Sequence, residues 1–111
     1  MTDTTTTART GHVPEDLPDR IRHYIDGAFV DSVDGDTFDV LDPVSNEVYV
    51  RAAAGGKADI DRAVAAARRA FTDGLWPRML PRERSRVLHR IADIVESRDA
   101  RLAELESFDS G

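Results

Sequence analysis

The spacing of the apolar residues changes once along this chain, close to Gly55. Before Gly55, apolar and polar residues alternate in short runs such as 37–41, and this period of two is typical of half-buried strands. After Gly55, apolar residues recur at the period of an amphipathic helix. No β–α–β unit is visible. The sequence therefore predicts an α+β segment in which antiparallel β-hairpins are followed by α-helices.

Turn residues divide the strand region. Asp26-Gly27 lies between two apolar runs, 24–25 and 28–30, and this pattern predicts a two-residue hairpin because both turn positions need positive φ. A looser turn is expected at Asp34-Gly35. Two further strands, 37–41 and 47–50, are expected to join across 42–46, where Asn46 tolerates the left-handed conformation.

Three helices are expected after Gly55. The first is capped by Gly56 and ends at Gly74, and its apolar stripe comprises Ile60, Ala63, Val64, Ala67, Ala70 and Phe71. The second begins at Pro81, after the poor capping residue Leu80, and its stripe comprises Val87, Leu88, Ile91, Ala92 and Val95. Asp99 is expected to cap a third, shorter helix whose apolar side includes Leu102 and Leu105.

These helices lack apolar partners of matching size within the chain. The first helix offers mostly alanines to the larger residues of the second, and a chain of about 90 ordered residues buries a smaller fraction of its surface than a full domain. The stripe of the second helix is therefore expected to stay uncovered, and the isolated chain is expected to fold poorly.

Composition excludes several classes of protein. The net charge of −6 argues against nucleic acid or an anionic membrane as a partner. The chain has no cysteine, which removes disulfides and thiolate chemistry. It shows no secretory signal and no membrane-spanning run, so a cytoplasmic location is expected. Residues 1–20 are rich in threonine and are expected to form a disordered tail, and residues 21–111 an incomplete domain.

Neither catalytic nor cofactor-binding residues can be assigned from spacing alone. His12, His23 and His89 are far apart and share no metal-ligand pattern. Gly55-Gly56 before a helix could hold an anion on its backbone amides, but the pair lacks the rest of a phosphate-binding fingerprint. The carboxylates near the end of the chain are typical of a solvated helix face.

Four stretches nevertheless resemble the start of the aldehyde dehydrogenase superfamily, in its order and at its spacings. They are YIDGAFVDS, TFDVLDPVSNEVY, ADIDRAVAAARRAF and WPRMLPRERSRVLHRIADIVESRDARLAELESFDSG. The resemblance runs from about Arg22 to Gly111. The segment is most similar to the group that oxidises hydroxymuconic semialdehydes in the breakdown of aromatic compounds, and the ending SFDSG is part of that similarity. It implies the N-terminal part of the α/β aldehyde dehydrogenase fold.

The resemblance also implies a reaction and its cofactor. Intact members use a cysteine nucleophile and transfer hydride to NAD or NADP, they act on a small-molecule aldehyde, and they commonly form homo-oligomers. Their catalytic and cofactor-binding residues map onto none of the positions of this chain. Many members also bind a monovalent cation, and the positions that match that site are Val40, Leu41 and Asp109. The alternative is that Asp109 only caps a turn.

Two functions are compatible with these observations. The chain is either the N-terminal portion of an NAD(P)-dependent aldehyde dehydrogenase, inactive by itself, or a small interaction module that docks on full-length relatives. Whether the native protein has 111 residues or more would separate them.

Overall fold

The computed structural model describes residues 13–14 and 16–111. Its strands are β1 (Arg20–Ile21), β2 (His23–Ile25), β3 (Ala28–Val30), β4 (Thr37–Leu41) and β5 (Val48–Ala53). Its helices are α1 (Lys57–Thr72), a 3-10 turn (Trp76–Arg78), α2 (Pro81–Glu96) and α3 (Asp99–Ser110). The predicted α+β class, with strands first and helices after, is confirmed.

Strands β2 and β3 form the predicted hairpin around Asp26-Gly27. Both turn residues have positive φ, 55° at Asp26 and 79° at Gly27, and the register pairs Ile25 with Ala28 directly across the turn. The Asp26 carboxylate accepts a hydrogen bond from Arg69 of α1 at 2.9 Å. The hairpin is thereby attached to the first helix.

The other three strands form a sheet in the order β1-β5-β4. The β4–β5 pair is antiparallel, as predicted, and Asn46 adopts φ 60° in the connecting turn. The two-residue strand β1 pairs with β5 in parallel, which the sequence analysis did not predict. Such a short strand has no periodicity of its own, so only the free edge of β5 determines where it pairs.

The helices begin close to the predicted positions. Helix α2 starts at Pro81, and the amide of Leu80 donates to Glu83 Oε2 at 2.8 Å. This is one of the two hydrogen bonds of a capping box, and the leucine side chain cannot accept the other. Helix α3 begins at Asp99 with Arg98 at the capping position, so the expected Asp99 cap is wrong by one residue. None of the described helices is both long and apolar enough to cross a membrane.

The apolar core of the described residues is small. Its buried apolar side chains, Val50, Ala52 and Ala53, all belong to β5. Alanines of α1 line a shallow cleft against the β2–β3 hairpin, whereas the larger members of its predicted stripe, Ile60, Val64 and Phe71, are exposed. The radius of gyration is 19.7 Å, against about 13 Å for a compact domain of this length. The chain therefore forms an open arrangement of elements.

The structure describes only part of the predicted N-terminal tail. Residues 1–12 and 15 of the predicted 1–20 tail, and with them His12, lie outside the described residues. At the end of that range, Asp16 forms an ion pair with Arg101 of α3, and Leu17 is half-buried. The division at residue 20 remains a prediction.

Replacing Gly27 with Val should weaken the β2–β3 hairpin. Apart from its two chain neighbours, no described residue has a heavy atom within 4 Å of a Cβ built at Gly27, so the cost is backbone strain at φ 79° rather than a clash. A β-branched residue there costs about 1–2 kcal/mol, which corresponds to about 5- to 30-fold faster hydrogen exchange at the Ala28 amide. Gly27→Asn, which tolerates left-handed φ, is the matched control. Equal exchange rates in both variants would contradict the assignment of strain.

Candidate functional site

The turn between β4 and β5 is organised by the carboxylate of Asp42. One carboxylate oxygen accepts the Val44 amide at 2.9 Å, and the other accepts the Ser45 hydroxyl at 2.8 Å. These two hydrogen bonds, first that of the Val44 amide, lower the pKa of Asp42 below its ordinary value. The residue is only 3% exposed. An ionised, buried carboxylate thus fixes the turn that follows Val40 and Leu41.

Helix α3 ends against this same region. The ring of Phe108 meets that of Tyr49 on β5 edge to face, with centroids 5.0 Å apart. A Cβ built on Gly111 would lie 3.5 Å from Cγ of Pro43 in the turn. The end of α3 and the β4–β5 turn therefore lie side by side, although about 65 residues separate them in sequence.

Tyr49 also connects the sheet to Asp109. Its hydroxyl donates to Asp109 Oδ1 across 3.5 Å, a long hydrogen bond. Burial, followed by the negative charge of Asp109, raises the pKa of Tyr49 above its ordinary value, so the hydroxyl remains a hydrogen-bond donor to a higher pH. Asp109 itself lies within α3, which continues to Ser110, and it does not lie in a separate turn as the sequence suggested.

The predicted cation-site residues occupy two neighbouring elements. Val40 and Leu41 are the last two residues of β4, where the register with β5 is irregular, and Asp109 is in the last turn of α3. Since β4 is an edge strand of its sheet, carbonyl groups on its outer side have no ladder partner in the part of the chain that the structure describes. Among the described residues, no cluster of three or more His, Cys, Asp or Glu side chains could hold a metal ion.

A second buried carboxylate, Asp59, lies at the start of α1. Its Oδ2 accepts the Gly56 amide and its Oδ1 accepts the Val33 amide, both at 3.0 Å. The Gly56 hydrogen bond is the main cause that lowers the pKa of Asp59 below its ordinary value. The Val33 hydrogen bond and the charges of His23 and Arg62 lower this pKa further. Asp59 thus joins the helix to the β3–β4 loop. Its sequence signal was an acidic residue three positions after the capping residue.

This carboxylate determines what the start of α1 can bind. Because Asp59 already accepts the Gly56 amide, the suggested anion site at Gly55-Gly56 would need phosphate to displace an internal carboxylate. These residues do not fit the pyrophosphate of a dinucleotide. His23 and His89 also stay apart, on β2 and α2, and His89 Nδ1 lies 2.8 Å from the Ser85 carbonyl oxygen within its own helix.

The sequence matches a known family over most of its length. The model described as "Aldehyde dehydrogenase family" matches residues 29–111. The chain belongs to the aldehyde dehydrogenase family. Among its relatives is aldehyde dehydrogenase family 2 member B4, mitochondrial, of Arabidopsis thaliana, which is 54% identical over 87 residues. That alignment covers 78% of this chain and 16% of the relative.

Solved structures of aldehyde dehydrogenases contain the same backbone arrangement. An NAD+ complex of aldehyde dehydrogenase from Bacillus cereus superposes with a TM-score of 0.76 at 37% identity, covering 81% of this chain and 18% of that chain. An NAD-dependent aldehyde dehydrogenase from Sinorhizobium meliloti gives a TM-score of 0.73 at 40% identity, covering 80% and 18%. The chain thus spans less than a fifth of these relatives, and it has the fold of their N-terminal part.

Replacing Asp59 with Asn should loosen the start of α1. The amide group of Asn can accept one of the two backbone amides but presents an N–H to the other, which leaves a buried donor unpaired. We expect faster hydrogen exchange at Val33 and Gly56 than in the wild type. Asp61→Asn is the matched control, because Asp61 is exposed and forms its ion pair with the exposed Lys57. Similar protection in both variants would contradict the role of Asp59.

Acid should loosen the same contact in the wild type. Because the folded pKa of Asp59 lies below the unfolded value of about 3.9, its contribution is complete above that pH and is lost as the pH falls through the folded pKa. Helix content followed by circular dichroism should therefore decline below about pH 4. In Asp59→Asn this part of the decline should be missing. An unchanged acid profile in the variant would argue against Asp59 as the titrating group.

Proposed function

We propose that this chain is the N-terminal portion of an NAD(P)-dependent aldehyde dehydrogenase that oxidises an aldehyde to a carboxylic acid. The observation that carries the proposal is the family match over residues 29–111 together with the coverage of only 16–18% of the relatives. A segment of this size supplies scaffold to an enzyme whose reacting groups lie elsewhere in the family fold.

The chemistry of the residues in this chain supports a scaffold role. The resemblance implies a cysteine nucleophile, and this chain contains no cysteine. Its buried carboxylates, Asp42 and Asp59, are engaged with backbone amides and are held ionised, so neither is suited to act as a general acid. Since the start of α1 does not fit a pyrophosphate either, we assign no reaction step and no cofactor contact to these residues.

The proposal also covers the substrate class, the location and the oligomeric state of the intact enzyme. The similarity of this segment, including its ending SFDSG, to hydroxymuconic semialdehyde dehydrogenases favours a muconic-type semialdehyde from the breakdown of aromatic compounds. The intact enzyme is proposed to be a cytoplasmic homo-oligomer that uses NAD or NADP.

We also propose that Val40, Leu41 and Asp109 contribute to a monovalent cation site in the intact enzyme. The support is the proximity of the end of α3 to the β4–β5 turn, through the Tyr49–Asp109 hydrogen bond and the contact of Gly111 with Pro43. Carbonyl oxygens and one carboxylate are hard ligands suited to such an ion.

The second candidate function is a small interaction module that docks on full-length relatives. The observation in its favour is the large exposed apolar surface of the helices, since such patches mark protein-binding sites. This function would need no catalytic residue within the chain.

The 111-residue chain should not reduce NAD+ or NADP+ with any aldehyde, because it lacks the cysteine nucleophile. The measurement is absorbance of the reduced cofactor across a panel of aldehydes. Turnover should be restored in a chimera in which residues 22–111 replace the matched segment of the Bacillus cereus aldehyde dehydrogenase. Turnover by the chain itself would overturn the inactivity, and a folded but inactive chimera would count against the enzymatic function.

The native protein separates the two candidate functions. Antibodies against this segment should capture, from its source cells, a polypeptide of family length that oxidises hydroxymuconic semialdehyde with NAD+. A captured protein of 111 residues bound to a longer relative would favour the interaction module. A family-length enzyme that prefers other aldehydes would retain the enzyme and reject the semialdehyde substrate.

Sodium or potassium should stabilise the chimera against thermal unfolding relative to choline at equal ionic strength. At about ten times the dissociation constant, one bound ion contributes about 1.4 kcal/mol. Asp109→Asn should reduce this ion-specific gain. Tyr49→Phe is the matched control, since it removes the hydrogen bond to Asp109 but keeps the carboxylate. An equal gain in Asp109→Asn and the wild type would contradict a role of Asp109 in the site.

A further inference from the structure

Ser85 lies among arginines on the polar side of α2. Arg82 precedes it by three residues, and Arg84 and Arg86 are its direct neighbours in sequence. Arg82, Ser85 and Arg86 are all exposed. Neither Arg82 nor Arg86 forms an ion pair with a carboxylate in the part of the chain that the structure describes. Their positive charges therefore have no contacting counter-charge there.

The order of charges along α2 is opposite to the order that favours a helix. Residues 81–90 contain four arginines and one acidic residue, Glu83, whereas residues 91–96 contain Asp93 and Glu96 and no basic residue. The helix macrodipole favours negative charge near the start of a helix and positive charge near its end. A group with negative charge would therefore be favoured in the first half of α2, where Ser85 lies.

The hydroxyl of Ser85 is available for reaction. His89 Nδ1 lies 2.8 Å from the Ser85 carbonyl oxygen, and because a carbonyl oxygen can only accept, Nδ1 carries a proton and donates it. Nδ1 therefore cannot also accept a hydrogen bond from the Ser85 hydroxyl, which lies 3.4 Å away. An enzyme that needs this segment extended has to open the start of α2. No residue of α2 is buried, so this opening exposes little additional apolar surface.

Thr72 provides a comparison within the same chain. Of all the serines and threonines in the sequence, only Thr72 and Ser85 have an arginine three positions earlier. The Thr72 hydroxyl donates to the Arg68 carbonyl oxygen at 3.0 Å. The arginine three positions before it, Arg69, pairs with Asp26 at 2.9 Å. The structure therefore distinguishes two positions that have the same sequence pattern, and it favours Ser85.

We propose that Ser85 is a phosphorylation site for a serine kinase that recognises arginine three residues before its acceptor. In this reaction the bond between the γ-phosphorus of ATP and its bridging oxygen breaks, and ADP leaves with the electron pair. A bond forms between that phosphorus and Ser85 Oγ, and the hydroxyl proton passes to a base of the kinase. The positive charge of Arg82 supplies the pattern that such a kinase selects. The modification does not depend on the proposed enzymatic function.

The product would have charged neighbours on both sides along the helix. A phosphoserine carries about −1.5 to −2 charges at pH 7, with a second pKa of about 6. Residues three and four apart are neighbours on a helix surface, so Arg82 and His89 flank position 85. Helical side chains lean toward the start of the helix, which brings the phosphate closer to Arg82. Arg82 should therefore favour the dianion and lower the second pKa of the phosphate.

Phosphorylation of the 111-residue chain tests the site. The chain is incubated with ATP, Mg²⁺ and a serine kinase of this specificity, and mass spectrometry identifies the modified residue. Ser85 should be the main site. Arg82→Gln should slow its phosphorylation at least about 10-fold, because it removes the charge that the kinase recognises, whereas Arg90→Gln on the same helix should not. In Thr72→Ser, which makes the two acceptors chemically equal, position 85 should still react faster than position 72.

The ionisation of the phosphate tests the contact with Arg82. Phosphoserine is placed at position 85 by genetic code expansion, and phosphorus NMR follows its titration. We expect the second pKa to lie about 0.5 lower in the otherwise unchanged chain than in Arg82→Gln, and to be the same in Arg90→Gln. Amide hydrogen exchange in the first half of α2 should also be slower with the phosphate than without it.

The contrary outcomes differ between the two experiments. Phosphorylation mainly at position 72 in Thr72→Ser, or mainly at the threonines of the N-terminal region, would overturn the site. So would a rate at Ser85 that is the same in Arg82→Gln and the wild type. An equal pKa of the phosphate in Arg82→Gln and in the otherwise unchanged chain would overturn the contact between the phosphate and Arg82.

Discussion

The carboxylate of Asp59 connects the two halves of this structure. It accepts one backbone amide from the start of α1 and one from the β3–β4 loop, and that loop is in turn joined to the end of β5 by the Ala54 amide and the Asp36 carbonyl. The strands and the helices have almost no shared apolar core. Their relative placement therefore depends on a few polar contacts, of which that of Asp59 is buried, and on the Tyr49–Phe108 ring contact. Hydrogen bonds are directional and fix geometry more narrowly than apolar contact does.

Local chemistry made much of the fold predictable. Asp26-Gly27 specifies its hairpin because both residues accept positive φ, and Pro81 specifies the start of α2 because its missing amide costs nothing there. The parallel pairing of β1 with β5 and the Tyr49–Phe108 contact could not be predicted in this way. Both join residues far apart in sequence, and no turn or period encodes such pairings.

The candidate site also could not be predicted from local sequence patterns. Spacing alone could not relate Val40 and Leu41 to Asp109, and only the family resemblance placed them together. The structure puts their elements side by side, but it places Asp109 in a helix because α3 continues to Ser110, where the sequence suggested a turn. Asp42 and Tyr49, which shape that region, were not singled out. Their roles arise from burial and from partners in the folded chain, which sequence patterns do not show.

The interactions that specify this backbone conformation differ from those that usually stabilise a fold, and the open shape follows from this difference. Caps, turns and the Asp42 and Asp59 carboxylates act over short distances and specify the conformation, which superposes on family members at a TM-score of 0.76. Apolar burial is the main source of folding free energy, and here Leu88, Ile91 and Val95 remain about half exposed. A segment can therefore carry a family's local geometry while burying little apolar surface of its own.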